Sequence, residues 1–578
     1  MIALTTRTQN IVARAKSFWT ARFRKEAIIL LILLGAVTVS WLPRLRGPID
    51  ITWDGSVYYI LGTSLAEGKG YRLLNEPGEI EAIQYPPLLP LMVAAHQRLL
   101  GTSDFLVVGP WLRIFYFFLS LCFTVAAYLL ARLYLSPEFA LPAALVCILY
   151  FFVYYWADSL YADIPFGLAT VLFVLCHHKS DRAACRITAG VLAAAAYLLR
   201  TAGIALLVAW VAESLLRGRY RQMLFRAGVA LVPVLLWQAH IARVQTGEQY
   251  RNPVYAYQRA SYQYSNVTYA ENTSLINPFK PELGRAGAVG MLRRAGGNLM
   301  AMPLALGEPV SAPASFWRAQ LAALQSLLGS NWVAPQWLVA VPLTLMGCLV
   351  IGGILRLRAR GEWFIPLYFS AYVLVTCLTP WPEQFPRYLT PLTPFLALSL
   401  FYLLASVAEW RVKQDSGWYG KASLALTLLL LAMIFFVQGL TFTQTYARGR
   451  RLVTYYDASG NEIKYPLFYY DARWEPVNMA LEWLRRRAQP GEIIAATAPH
   501  SAHLRTGLKA VLPPLEADSE RAARLLDSVP VKYVVLDALG IPGISERYAA
   551  PTIEKHPRLW KLIYTAPGGG ARIYERVQ

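Results

Sequence analysis

The stretch ITWDGSVYYILGTSLAEGKGY, Ile51 to Tyr71, begins a few residues after the first hydrophobic run of the chain. It opens on a lone carboxylate, Asp54, and ends at Gly68-Lys69-Gly70. Between them Val57, Ile60, Leu61 and Leu65 recur at helical spacing, which predicts a short amphipathic helix over 54–67. The plain reading of Asp54 is a helix N-cap. Its place beside a membrane-length run gives a second reading, an acid held at lipid-headgroup depth.

The rest of the chain supports that setting. Of 578 residues, 56% are hydrophobic and only 16% charged, where a soluble protein carries about a quarter. Apolar runs near the length of a bilayer's ~30 Å core recur at 27–43, 111–131, 141–156, 164–178, 187–199, 203–216, 227–243, 334–355, 363–379, 388–409 and 422–441. The predicted class is a polytopic α-helical membrane protein with about eleven transmembrane helices. The first run lacks a small-residue cleavage site and reads as a retained span. A net charge of +20 raises nucleic acid as a partner. The Lys/Arg clusters fall between hydrophobic runs, however, where they encode topology, so no nucleic acid is expected. Six cysteines without a CxxC pair indicate neither zinc nor a disulfide framework.

Basic loops at Arg7–Lys25, Lys179–Arg186, Arg217–Arg226, Arg356–Arg360 and Arg411–Lys421 alternate onto one side, taken as cytoplasmic. The N-terminus is then inside, and three long segments lie outside: 44–110, 244–333 and the tail. The expected division is a membrane module, 1–441, and a small extracytoplasmic α/β domain, 442–578. Its predicted elements are a helix near Val477–Arg487 and strands at Glu492–Thr497, Tyr533–Asp537 and Leu559–Tyr564. His500 and His503 read as surface residues of that domain. The sequons at Asn266 and Asn272 read as chance matches.

Other ionisable groups fall at the same outer level as Asp54. Asp158 and Asp163 flank the turn in Ala-Asp-Ser-Leu-Tyr-Ala-Asp-Ile-Pro, Arg200 follows a Leu-Leu pair, and Arg387 opens the tenth run. Singly these are snorkelling or capping residues; together they point to a site, because ionisable groups facing a bundle interior are usually functional. Gln84-Tyr85-Pro86-Pro87 begins a second amphipathic segment, 88–99, completing a two-helix platform at headgroup depth. Guanidiniums there suit a phosphate. A sugar on a lipid phosphate has a good leaving group, so one carboxylate acting as general base is sufficient.

The motif Trp53-Asp-Gly-Ser-Val-Tyr-Tyr, then Gly68-Lys-Gly-Tyr, then Tyr85-Pro-Pro-Leu-Leu-Pro resembles the first outer loop of bacterial GT-C glycosyltransferases. These are the family 39-like relatives of protein O-mannosyltransferases and of the aminoarabinose transferase acting on lipid A. Asp163-Ile-Pro-Phe resembles their second acidic motif, and Arg387-Tyr-Leu-Thr-Pro-Leu-Thr-Pro their late Arg-Tyr-Leu motif. In the tail, Ala480-Leu-Glu-Trp-Leu-Arg, Pro490-Gly-Glu-Ile-Ile and Leu504-Arg-Thr-Gly resemble the domain attached to many members. Gly55 follows Asp54 where many members carry an Asp-Glu pair, which favours the broader bacterial group over protein mannosyltransferases.

The resemblance implies a GT-C fold and inverting transfer of a sugar from a polyprenyl-phosphate donor on the outer face of the plasma (inner) membrane. The acceptor is a glycan, lipid or protein. Asp54 is implied as the base, or as the acid that orients the acceptor, and Asp163 as the second catalytic acid of the site. Arg200, Arg387 and Tyr388 fall near the donor phosphate, and Tyr58, Tyr85 and Asp158 on the acceptor side. No cofactor is assigned: some relatives bind a divalent metal, which stays open here, but no His/Cys cluster marks a site. The alternative is a flippase or transporter of lipid-linked sugars, which needs polar groups nearer the bilayer midplane.

Overall fold

A computed structural model describes residues 24–577 apart from 328, 330–334, 414–417, 449–450, 458 and 540–542. All eleven predicted runs fall on helices. Among the described residues six helices are long and apolar enough to cross a membrane: Arg24–Arg44, Phe105–Arg132, Tyr220–Thr246, Trp337–Ala359, Pro382–Ala408 and Ala425–Arg448. The pair Pro137–Leu149 and Phe151–Ala157, bent by 60°, makes a seventh. The chain is thus a multi-pass membrane protein with a small sheet domain after the last span.

The remaining four runs correspond to shorter helices: Asp163–His177, Ala183–Leu199, Ile204–Leu216 and Phe364–Cys377, of 13 to 17 residues. At 1.5 Å per residue each reaches roughly 20–25 Å, short of a full hydrocarbon core. These four are shorter than the six long spans. Two of the breaks carry charged residues, at Asp158–Asp163 and Arg200–Gly203, and of these Asp163 and Arg200 join Arg387 and Asp54 at one end of the bundle.

The expected interfacial helix Asp54–Ala66 is buried on nearly every side, from Gly55 through Gly62 and at Ser64. Two neighbours cover it. Helix Leu88–Leu100 packs so close at Gly62 that a Cβ there would meet Val93 at 2.6 Å. From the tail, helix Pro499–Thr506 lies against it, with Ser501 Oγ donating to Ser56 Oγ at 3.3 Å. Helix Leu88–Leu100 is the amphipathic partner, burying Leu89, Val93 and Ala94 while Leu91 and Leu99 face outward.

The segment 244–333, read from sequence as one outer loop, contains a 20-residue helix, Ala288–Gly307, that packs backbone to backbone on Trp337–Ala359. A Cβ at Gly307 would fall 1.9 Å from the Leu343 carbonyl, and one at Gly347 would fall 1.8 Å from that of Pro303. Only glycine permits this approach.

After the last span come a hairpin of β1 (Leu452–Tyr456) and β2 (Glu462–Pro466), then a mixed sheet. Its strands are β3 (Ile493–Ala496), β4 (Lys509–Val511), β5 (Val531–Asp537), β6 (Trp560–Thr565) and β7 (Ala571–Arg576), in the order β4-β3-β5-β7-β6. Helix Trp474–Arg485 packs Val477, Leu481 and Leu484 against one face. The edge strand β4 exchanges two hydrogen bonds with Asn75 of the 44–110 segment, Ala510 N to Asn75 O at 2.8 Å and Asn75 Nδ2 to Ala510 O at 3.1 Å. Lys509 reaches Glu79 at 2.7 Å, and Trp53 meets Trp474 edge to face at 4.9 Å. The tail therefore docks on the platform.

Candidate active site

Asp54 is the first residue of its helix, and Trp53 takes the cap position with φ 55°. That left-handed conformation costs a tryptophan of order 1–3 kcal/mol and is the kind of strain found at ligand sites. Its neighbours hold it. Asp54 N–H donates to the Tyr161 hydroxyl at 3.2 Å, and that hydroxyl donates to Thr52 O at 3.1 Å. The preceding residues pair with the 158–160 turn, Asp50 N–H to Asp158 O at 3.1 Å and Leu160 N–H to Asp50 O at 2.8 Å. The Asp54 carboxylate caps nothing. It accepts from Tyr85 Oη at 3.1 Å and from Arg387 Nη2 at 2.7 Å, which overturns the N-cap reading.

Arg387 comes from a proline-broken entry to the tenth run, where Pro382, Pro386 and Pro391 each start a turn too short to continue. Its guanidinium lies 5.1 Å from the Trp156 ring centroid and 4.5 Å from that of Tyr161. Its Nε faces Asp163 Oδ2 at 3.7 Å, an ion pair without a hydrogen bond. Asp163, first residue of Asp163–His177, is 1% exposed and bonds Arg200 through its other oxygen. Both carboxylates sit in first helical turns, where the macrodipole favours negative charge. Arg200 stands at an extended break held by Gly203, whose Cβ would strike Tyr197 N at 2.6 Å. The Tyr388 ring lies 5.8 Å from the Arg200 guanidinium, and the Tyr388 carbonyl accepts from Tyr372 at 2.8 Å.

The structure thus joins Asp54, Arg387, Asp163 and Arg200 in one alternating chain, with Tyr85 and Tyr388 beside it. Tyr58 belongs too, its ring 5.0 Å from that of Tyr85 and edge on. The two carboxylates differ. Asp54's is 27% exposed and open to a ligand, whereas Asp163's is shut in. Asp163, expected as the second acid of the site, lies in the site and faces two arginines.

Asp158, expected on the acceptor side, stands apart from this chain of charges. It is 2% exposed and grips Arg113 through both oxygens at 2.6 and 2.8 Å, and it accepts from Phe468 N–H at 2.7 Å. It fastens the tail's hairpin to the span Phe105–Arg132. His500 and His503 are half-buried rather than exposed. Burial pushes His500 down to about 3 and lowers His503, whose Nδ1 lies 2.8 Å from Leu508 O. Asn266 and Asn272 are buried, their amides donating to Gln258 O and Ser261 O, so neither sequon is open to glycosylation.

Sequence reasoning missed several members. Tyr161 lies inside the acidic motif and Trp156 just before it, and neither carries a charge that would mark it. Tyr269, on a five-residue helix with a Thr268/Glu271 capping box, reaches the Tyr85 ring at 6.3 Å from a segment that carried no signal. Among the described residues no group of three or more His, Cys, Asp or Glu side chains is placed to hold a metal. The two carboxylates of the site are each turned to a guanidinium, so the residues present do not fit one.

The same architecture occurs in solved structures. The oligosaccharyltransferase of Archaeoglobus fulgidus, in its complex with Zn and sulfate, aligns with a TM-score of 0.53 and 14% identity over 95% of this chain and 73% of that one. The same protein tethered to an acceptor peptide with an NVT sequon aligns at 0.50 and 14%, over 97% and 75%. ArnT from Cupriavidus metallidurans, bound to undecaprenyl phosphate, aligns at 0.50 and 13%, over 95% and 98%. No family model matches the sequence, and no curated protein matches it. The likeness is one of fold: the chain has the GT-C fold that its motifs resemble.

Proposed function

We propose that this protein is a membrane glycosyltransferase that moves a sugar from a polyprenyl phosphate to an acceptor hydroxyl, with inversion, at the outer face of the plasma membrane. The observation that carries this reading is the pairing of an open carboxylate, Asp54, with Arg387, whose other side faces the closed carboxylate Asp163. Asp54 takes the proton from the acceptor hydroxyl. The hydroxyl oxygen attacks the anomeric carbon, and the bond to the lipid phosphate breaks with its electrons staying on the phosphate. Arg200 and Arg387 stabilise that charge. Each guanidinium has five N–H donors and spends only part of them on aspartate, leaving others for the donor phosphate. Asp163 holds both arginines in place. Tyr85 orients Asp54, and Tyr58 and Tyr388 line the two sides.

Two solved neighbours support the choice of ligands: ArnT of the same fold holds undecaprenyl phosphate, and the archaeal protein holds an acceptor peptide. The test is reconstitution with a polyprenyl-phosphate sugar and comparison with Asp54→Asn. Transfer by Asp54→Asn at close to the wild-type rate removes Asp54 from the chemistry. A polar passage open to both faces, shown by labelling from each side, would favour transport instead.

A further inference from the structure

A cleft of 580 Å³ lies between the first span, Arg24–Arg44, and the last, Ala425–Arg448, at the end of the bundle that holds the Asp54 cluster. Its size falls within the roughly 300–1,000 Å³ of small-ligand sites. Val37, Phe123, Ile164 and Phe442 make its walls apolar. Its serine and threonine hydroxyls are spent: Ser40, Ser120, Thr124 and Thr443 each donate to a carbonyl of their own helix at 2.7 to 3.0 Å. The surface offered is suited to a hydrocarbon chain.

Arg44 stands at the end of the first span, 3% exposed. Its guanidinium lies 4.7 Å from the ring centroid of Tyr446, a wall of the cleft, and 4.5 Å from that of Phe468. Among the described residues its Nε and Nη1 make no hydrogen bond, and neither does Nη1 of nearby Arg113. The nearby carboxylate of Asp158 is engaged by Arg113 and Phe468 N–H. Asp50 faces the same cluster, but it accepts from Thr52 N–H at 2.8 Å and makes no ion pair there. A buried guanidinium with donors unmet is costly, and a phosphate diester is the group whose geometry answers it.

We infer that this cleft binds one acidic phospholipid, its acyl chain between the first and last spans and its phosphate on Arg44 past the Tyr446 ring. The site is separate from the donor phosphate site: Trp156 and Tyr161 face Arg387, while Asp158, between them in sequence, faces Arg113. A bound lipid would brace the turn that the two sites share.

The test uses the full chain in neutral detergent, offered phosphatidylglycerol, phosphatidylcholine or undecaprenyl phosphate, with retained lipid counted by native mass spectrometry. One phosphatidylglycerol per chain is expected, without phosphatidylcholine. Arg44→Gln should lower retention roughly tenfold, the worth of one charge-assisted hydrogen bond. Ala36→Trp fills the cleft from its outer wall and should do the same, which keeps the test alive if Arg44→Gln fails to fold. Asp54→Asn should retain the lipid as wild type does. Equal retention of phosphatidylcholine overturns the proposal, as does retention of phosphatidylglycerol by Ala36→Trp. So does Arg44-dependent uptake of undecaprenyl phosphate with none of phosphatidylglycerol. None of these readouts depends on sugar transfer.

Discussion

Arg387 Nη2 lies 2.7 Å from Asp54 Oδ2, joining residues 333 positions apart in the chain. The contact fixes the direction of the carboxylate, and the same guanidinium rests on Trp156 and Tyr161. Arg387→Lys keeps the charge and loses the planar fork. Transfer should fall about 10²-fold, the typical loss of one donor to a developing anion, mainly in kcat. Steady-state kinetics against donor concentration decide it; an unchanged kcat contradicts the assignment.

Tyr85→Phe removes one hydrogen bond from Asp54 and leaves the ring packed on Tyr58. A net contribution of about 1 kcal/mol predicts a loss of several-fold in kcat with little change in stability. Tyr85→Ala, which also removes the ring, should raise KM for the acceptor. Equal effects of the two substitutions would show that the hydroxyl alone matters.

Arg113→Ala strands Asp158 as a buried charge facing a backbone amide. Breaking such a pair costs about 3–5 kcal/mol. The expected result is a lower unfolding temperature and release of the β1–β2 hairpin to limited proteolysis. Asp158→Asn should be milder, since an amide oxygen still accepts from Phe468.

Gly347→Ala places a methyl group where the Pro303 carbonyl now sits. Helix Ala288–Gly307 must move away, at a cost of about 1–3 kcal/mol or more. Thermal unfolding in detergent measures it. Gly297→Ala, where nothing lies within 4 Å of the added carbon, is the control and should be neutral or stabilising.

Acid should loosen the tail. Burial holds His500 near 3 in the fold against 6.5 in an open chain, so the unfolded state takes up the proton first. The stability this gives is present above about pH 6.5 and is lost as pH falls toward 3. At pH 5 the loss is on the order of 2 kcal/mol, to which His503, lowered in the same sense, adds. His500→Gln should flatten the fall in unfolding temperature between pH 7 and pH 5.

The helical bundle was legible because apolar run length is a one-dimensional property, and each run fell on a helix. Run length does not show where a helix stops, so Phe364–Cys377 read as a crossing although it is short, whereas the run at 187–199 is short in the sequence itself. Asp54, Arg200 and Arg387 stood out as charges at run ends. Asp158 stood out for the same reason and belongs elsewhere, because sequence shows that a carboxylate is present but not which arginine it meets. Helix Ala288–Gly307 hid behind Arg293 and Arg294, which break its apolar pattern, and only the contact of Gly307 and Gly347 reveals its partner. Helix Asp54–Ala66 looked one-sided because its covering helix comes from residues 499–506, far along the chain.

That last distance sets a schedule. Ribosomes deliver Asp54 early and the residues that roof its helix, from Pro499 to the Asn75-paired strand at Ala510, more than four hundred residues later. The frame around the acid is finished only once those later residues have emerged. A chain interrupted before that point carries every ionisable member of the cluster, yet lacks the lid that holds Ser56 and Asn75.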